Sequence, residues 1–260
     1  MDVSDLITDF ITFTLGLPRV LGMFAMIPIF GRQALPGSAR NAVAVAFTLF
    51  MYPVYSAGLD VASLSSISLL GIIIKEAVIG MLMGFAIGTI FWGVQSMGFV
   101  IDNQRGATMA SSIDPMTGTQ TSPLGIFMMQ VLTVFFYISG GVFFMLRAFY
   151  NSYLAFPVAT FYPNLTMDGA VHFLSLMDSI LALALLFAAP ALIAMFLSEF
   201  ALGLVSRFAP QLNVFFLSMP VKSAVGMLLL LLSLTYVSGV WMTFFEGMPD
   251  HIWILQDLLQ

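Results

Sequence analysis

Six stretches of this chain are too long and too evenly apolar to lie in water. They run at about Leu6–Phe30, Asn41–Ala57, Leu69–Gly98, Leu124–Leu146, Ser179–Gly203 and Val214–Val240. Each comes near the ~20 residues a helix needs to cross the hydrocarbon core of a bilayer. Transmembrane strands would alternate over ~10 residues. Continuous runs such as AVIGMLMGFAIGTIFWGV do not alternate, so the spans are predicted to be helices. Composition removes the soluble alternatives. Of 260 residues, 60% are hydrophobic and 8% charged, and the mean hydropathy is +1.02. Soluble domains carry about 25% charged residues. A net charge of −5 with no basic cluster excludes a nucleic-acid partner. The absence of cysteine excludes disulfides, thiolate metal sites and a cysteine nucleophile. An all-α membrane protein is left, built as one domain over 1–260, with membrane lipid as a partner.

The connections carry the rest of the information. Asp2, Asp5 and Asp9 with no Lys or Arg among the first ten residues are the reverse of a signal-peptide n-region. Arg32, Arg40, Arg105 and Arg207 fall in the first, third and fifth connections, and only Arg147 falls on the other side. The positive-inside rule then places those three connections in the cytoplasm. The aromatic, Pro-containing connection at 148–177 suits a membrane interface. The tail at 246–260 reads as a short amphipathic helix.

Several residues stand out within the spans. Asp2, Asp5, Asp9, Thr12, Gly16 and Arg19 share one face of the first helix, continued by Met23 and Met26; that face packs on other helices or lines a water-filled lumen. Pro18, Pro28, Pro53, Pro190 and Pro220 remove backbone donors and are predicted to break or kink their helices. Gly80, Gly84 and Gly88 present a face without side chains, where a helix of this or another chain can come close. Lys75 and Glu76, adjacent in sequence, point in different directions, so each is predicted to take a separate partner. Glu199 and Lys222 each lie 11 or 12 positions from a turn at Pro210–Gln211. At 1.5 Å per residue that puts both roughly 17 Å along the hairpin, where they are predicted to pair, as a staple or as an ion or proton site.

The third connection is the richest segment. Ile101–Pro115 reads IDNQRGATMASSIDP and holds Asp102, Arg105 and Asp114 among small residues. By physics it is a solvated loop or a re-entrant segment lining a cavity. Catalytic patterns are weak. His172 and His251 lie far apart and outside any HExxH, and no GxSxG or phosphate-binding loop occurs. Asp9 and Asp178 sit near helix ends, where an intramembrane aspartyl protease would need them deep. No enzyme, cofactor or metal is expected.

The string IDNQRGATMASSIDP, with QTSP at Gln120–Pro123, resembles the T component of the bacterial type III secretion export apparatus, homologous to flagellar FliR. LPRV at Leu17–Val20, the P-x-F-G region at Pro28–Gly31, Lys75-Glu76 with its glycine series, LSEFALGLVSRFAPQLNVF at Leu197–Phe215 and Lys222-Ser223 extend the resemblance over nearly the whole chain. It is nearer the injectisome branch. The resemblance implies helical hairpins built into a hetero-oligomeric ring with the R and S components, and a U-type switch protein at the base. Unfolded secreted proteins pass through the centre. It implies an inner-membrane location, part of the assembly standing above the membrane plane. It implies a pore plug at roughly Arg105–Pro123, drawing on Asp102, Asn103, Gln104, Arg105, Gly106, Ser111, Ser112, Asp114 and Pro115. The last helix pair, about 179–240, resembles the S component's hairpin, with a cytoplasmic tip of Arg207, Phe208, Pro210, Gln211 and Asn213. The competing function is a secondary transporter for a small solute, which would also use broken helices and midplane charges. The two related halves usual in such transporters are absent from the sequence.

Overall fold

A computed structural model describes residues 3–31, 35–56, 61, 64–107, 122–160, 167–209, 211 and 213–259. Among them are seven α-helices, one single-turn 3-10 helix at Pro28–Phe30, and no strand. The α-helices are α1 (Val3–Met26), α2 (Gly37–Ser56), α3 (Ser66–Gln104), α4 (Pro123–Ile138), α5 (Gly141–Ala155), α6 (Met167–Phe208) and α7 (Val214–Leu259).

Among the described residues, four helical segments are long and apolar enough to cross a membrane: Asp5–Met26, Ser66–Gln104, Met167–Phe208 and Phe216–Asp250. A bent pair, α4 with α5, makes up to five. The six predicted spans are revised at two places. The second stretch forms α2, whose Ser38, Arg40, Asn41, Thr48 and Tyr52 dilute it below the hydropathy of the others. The fourth is divided at Ser139–Gly140, where the chain turns by 76°. Gly140 sits there at φ +80°, the left-handed region that an L side chain rarely enters.

Proline breaks helices less often than predicted. Pro18, Pro53, Pro190 and Pro220 lie inside helices that continue past them. Only Pro28 coincides with a helix end, opening the 3-10 turn just after α1. The tail is likewise not a separate helix, because α7 runs through to Leu259.

The chain divides into two compact units. Unit 1 comprises Met1–Thr89, Gly140–Leu176 and Phe245–Gln260; unit 2 comprises Ile90–Ser139 and Met177–Phe244. In unit 1, α1 packs along α2. Phe24 stacks on Phe30 with centroids 4.0 Å apart and meets Phe47 edge-on, and Tyr55 stacks on Tyr153. In unit 2, Phe91 meets Phe136 and Phe135 meets Trp241, both pairs edge-to-face at 5.6 Å. Val94, Met97, Leu132, Phe187 and Met195 fill the interior around them.

Candidate functional site

Within unit 1, α1 and α3 come together backbone to backbone. A Cβ on Gly80 would collide with the carbonyl of Arg19, and one on Gly84 would lie 2.5 Å from the carbonyl of Met23. From the other side, a Cβ on Gly22 would lie 2.5 Å from the carbonyl of Ala77. The glycine face therefore has its partner in this chain, at Gly80 and Gly84; Gly88 is buried as well.

That crossing delivers a charge cluster. Arg19 donates from Nε to Glu76 Oε2 at 2.6 Å and from Nη2 to Glu76 Oε1 at 2.9 Å, a bidentate pair with both side chains fully buried. Its remaining donors reach the carbonyls of Ser152 at 2.9 Å and Phe156 at 2.7 Å. Its guanidinium lies 4.1 Å from the centre of the Tyr153 ring. Lys75 Nζ donates to the carbonyls of Pro157, Val158 and Thr160 at 2.9–3.0 Å. It also pairs with Glu76 Oε1 at 2.9 Å. This corrects the expectation that Lys75 and Glu76 stay apart. The lysine stem is long enough to curl back and share the carboxylate while its head sits among carbonyls.

Two cations and one anion leave a surplus positive charge. It is met by the carbonyls of Ser152, Phe156, Pro157, Val158 and Thr160 at and beyond the C-terminus of α5, where the helix dipole is negative. The face running from Thr12 through Arg19 to Met23 is buried by packing, which removes the lumen reading for these residues. Asp5 and Asp9 on the same face are exposed, and Asp9 accepts a hydrogen bond of 3.0 Å from Tyr52. Asp2 lies outside the described residues. On α2, burial first and then neighbouring Tyr153, Tyr52 and Glu76 push the Tyr55 phenol up, so it stays a neutral donor to the Phe13 carbonyl.

Within unit 2, the two flanks of the polar connection meet. Asp102, 1% exposed, accepts from Ser122 Oγ at 2.6 Å and from the Leu124 backbone N–H at 3.0 Å. Its other oxygen is held by Arg105, from Nε at 2.8 Å and Nη2 at 2.6 Å. Ser122 is also the N-cap of α4, accepting from the Gly125 N–H at 2.9 Å. Gly106, at φ +80°, ends the α3 side of the connection by donating to the Asn103 carbonyl. Arg105 Nη1 donates to Ser223 Oγ on α7 at 3.3 Å. Asn103 is exposed and Gln104 half-buried. Ser111, Ser112, Asp114 and Pro115 lie outside the described residues.

On the last two helices, Lys222 Nζ reaches Glu199 Oε2 at 3.1 Å, the pair that the distance from the turn predicts. Glu199 is half-exposed and Lys222 mostly covered. At the hairpin tip Arg207, Phe208, Gln211 and Asn213 are exposed, and Pro210 lies outside the described residues. Among the described residues no group of three His, Asp or Glu is placed to hold a metal.

Sequence reading missed the Arg19–Glu76 pair and the role of α5. A signal for the first was present: Arg19 is the only cation on α1, and Glu76 is the only acid on α3 ahead of Asp102 near its C-terminal end. Carbonyl partners such as Phe156 and Pro157 leave no mark in side-chain chemistry.

A family model described as bacterial export proteins, family 1, matches residues 10–248. The chain belongs to that family. It is 41% identical over 232 residues to Yop proteins translocation protein T of Yersinia pestis, covering 88% of each chain. To the surface presentation of antigens protein SpaR of Salmonella typhimurium it is 34% identical over 239 residues, covering 92% of this chain and 84% of the relative. To the flagellar biosynthetic protein FliR of Bacillus subtilis it is 28% identical over 238 residues, covering 90% of each. The chain is thus a membrane component of a type III secretion export apparatus and is related to FliR, as the sequence resemblance implied. The family is one of structural apparatus proteins, not enzymes.

Proposed function

We propose that this chain forms part of the wall and the closure of a protein-conducting channel for unfolded secreted proteins. It works as one membrane domain, 1–260, in the bacterial inner membrane, with part of the assembly raised above the membrane plane. Its partners are the R and S components and a U-type switch protein, and its last helix pair, about 179–240, takes the place of an S-type hairpin. The polar connection at roughly Arg105–Pro123 is the plug.

One observation carries this reading: the longest polar interruption in an otherwise apolar chain springs from two helix ends that a single buried carboxylate gathers together. Such a root suits a segment that must return to one place after displacement. Small side chains such as Ala107, Ser111 and Ser112 would seal through many weak contacts, which a passing polypeptide can displace one by one. Nothing observed favours the solute-transporter reading over this one.

The test is a deletion within 107–119 in the assembled complex. Assembly should be kept and ion leakage across the membrane should rise. Unchanged conductance with intact assembly would refute the plug.

A further inference from the structure

We infer that Asp102 is a positioning residue: a buckle, separate from the plug's sealing surface, that holds the plug's two flanks together and ties them to α7. The inference rests on the plug reading above, but it assigns a distinct task to a distinct place. Asp102 is a poor candidate for a sealing surface, because it is 1% exposed. Its oxygens are committed in two directions. Oδ2 takes the Ser122 hydroxyl and the Leu124 N–H, at the start of α4. Oδ1 takes the Arg105 guanidinium, three residues along its own chain. Four hydrogen bonds thus converge on one carboxylate from both sides of residues 107–121.

The backbone geometry beneath it is fixed independently. A Cβ on Gly98 would collide with the backbone of Gly125, and one on Gly125 would come 2.8 Å from the Gln95 carbonyl. The crossing of α3 and α4 is therefore set by glycine contact one turn below Asp102. The carboxylate adds a polar tie one turn above that contact. Such a tie can open without dismantling the crossing.

Arg105 extends the tie to the hairpin. Its Nη1 reaches Ser223, the residue after Lys222. A shift of α7 at Ser223 would pull on Arg105, and Arg105 is the only group described on Oδ1. Loss of that contact removes the guanidinium that fixes the carboxylate's orientation towards Ser122 and Leu124. The hairpin and the plug root are thereby joined through three side chains, Ser223, Arg105 and Asp102.

The chain has no cysteine, so a pair can be introduced cleanly. The test uses the full assembled complex carrying Asp102→Cys and Ser122→Cys, with ion leakage and secretion as readouts. Reduced, the double variant should leak roughly tenfold above the parent, the scale expected when charge-assisted hydrogen bonds favouring one state are lost. A short, reducible bis-methanethiosulfonate should return leakage to the parental level and block secretion; reductant should reverse both. Asp102→Asn, which keeps the shape and loses the charge, should leak in the same direction. A reduced double variant that assembles and does not leak overturns the inference, as does leakage that cross-linking leaves unchanged. Loss of assembly in both the Cys pair and Asp102→Asn would make the residue a folding element and overturn it too. The deletion within 107–119 separates the two readings. If the deletion leaks and Asp102→Asn does not, the plug stands and the buckle falls. If the deletion itself does not leak, the plug reading falls and the buckle with it.

Discussion

At the scale of single residues, Glu76 is the pivot of unit 1. It is the one anion facing two cations, and all three groups are buried. Removing one partner of a buried ionic group leaves uncompensated charge and costs about 3–5 kcal/mol. Glu76→Gln should therefore lower the unfolding midpoint in detergent far more than Glu199→Gln. Glu199 shares a single contact with Lys222 and is half-exposed, where a pair contributes roughly 0–1 kcal/mol. A thermal melt of the two variants beside the parent checks the ranking, and equal losses would contradict it. The two pairs also differ in how far the sequence could reveal them. Glu199 and Lys222 flank one tight turn, so counting along two adjacent helices places them level. Arg19 and Glu76 belong to helices separated by α2, and their meeting depends on a crossing that no local spacing encodes.

At the scale of elements, glycine decides where helices touch. Gly80→Ala would push α1 and α3 apart at the Arg19 carbonyl and should destabilise by roughly 1–3 kcal/mol, the usual cost of overpacking. Gly239→Ala is the matched control. Nothing lies within 4 Å of its added methyl, and replacing a mid-helix glycine should raise the stability of the isolated chain by about 1 kcal/mol. Denaturation of both variants, followed by helical circular dichroism, distinguishes them. Gly140→Ala should cost about 1–2 kcal/mol, because φ +80° is strained for an L side chain. The glycine series was legible because four-residue spacing is a periodic signal. The 76° bend was not, since apolar residues continue on both sides of Ser139–Gly140 and hydropathy does not register direction. Helix propensity also misled at proline. Pro18, Pro53, Pro190 and Pro220 are carried inside long helices, where the surrounding turns outweigh one missing donor.

At the scale of the whole molecule, helix length and bilayer thickness disagree. With 42 residues α6 is about 63 Å long, and α7 with 46 is about 69 Å, against a hydrocarbon core of about 30 Å. Apolar side chains are exposed along much of α6, from Leu174 and Leu181 through Ile193 and Phe196 to Phe208, which is 88% exposed. Lipid can cover only part of such a helix, so protein must cover the rest. Hydropathy alone could not show this, because it scores lipid and protein neighbours alike; it gave helix identity well and spans poorly. The expected outcome is that the chain, purified alone, binds far more detergent than a helical protein of equal mass made for one bilayer crossing per helix. Light scattering with refractive-index detection measures the ratio, and a normal detergent load would contradict it.

The same excess length bears on how the protein comes to exist in the cell. A newly synthesised copy that reaches the bilayer before its companions has greasy flanks with nowhere to rest. It is an orphan that quality-control proteases should recognise and clear. The half-life of the chain should therefore be set by the supply of its neighbours, so that expression of one gene product is metered by the others without any dedicated regulator.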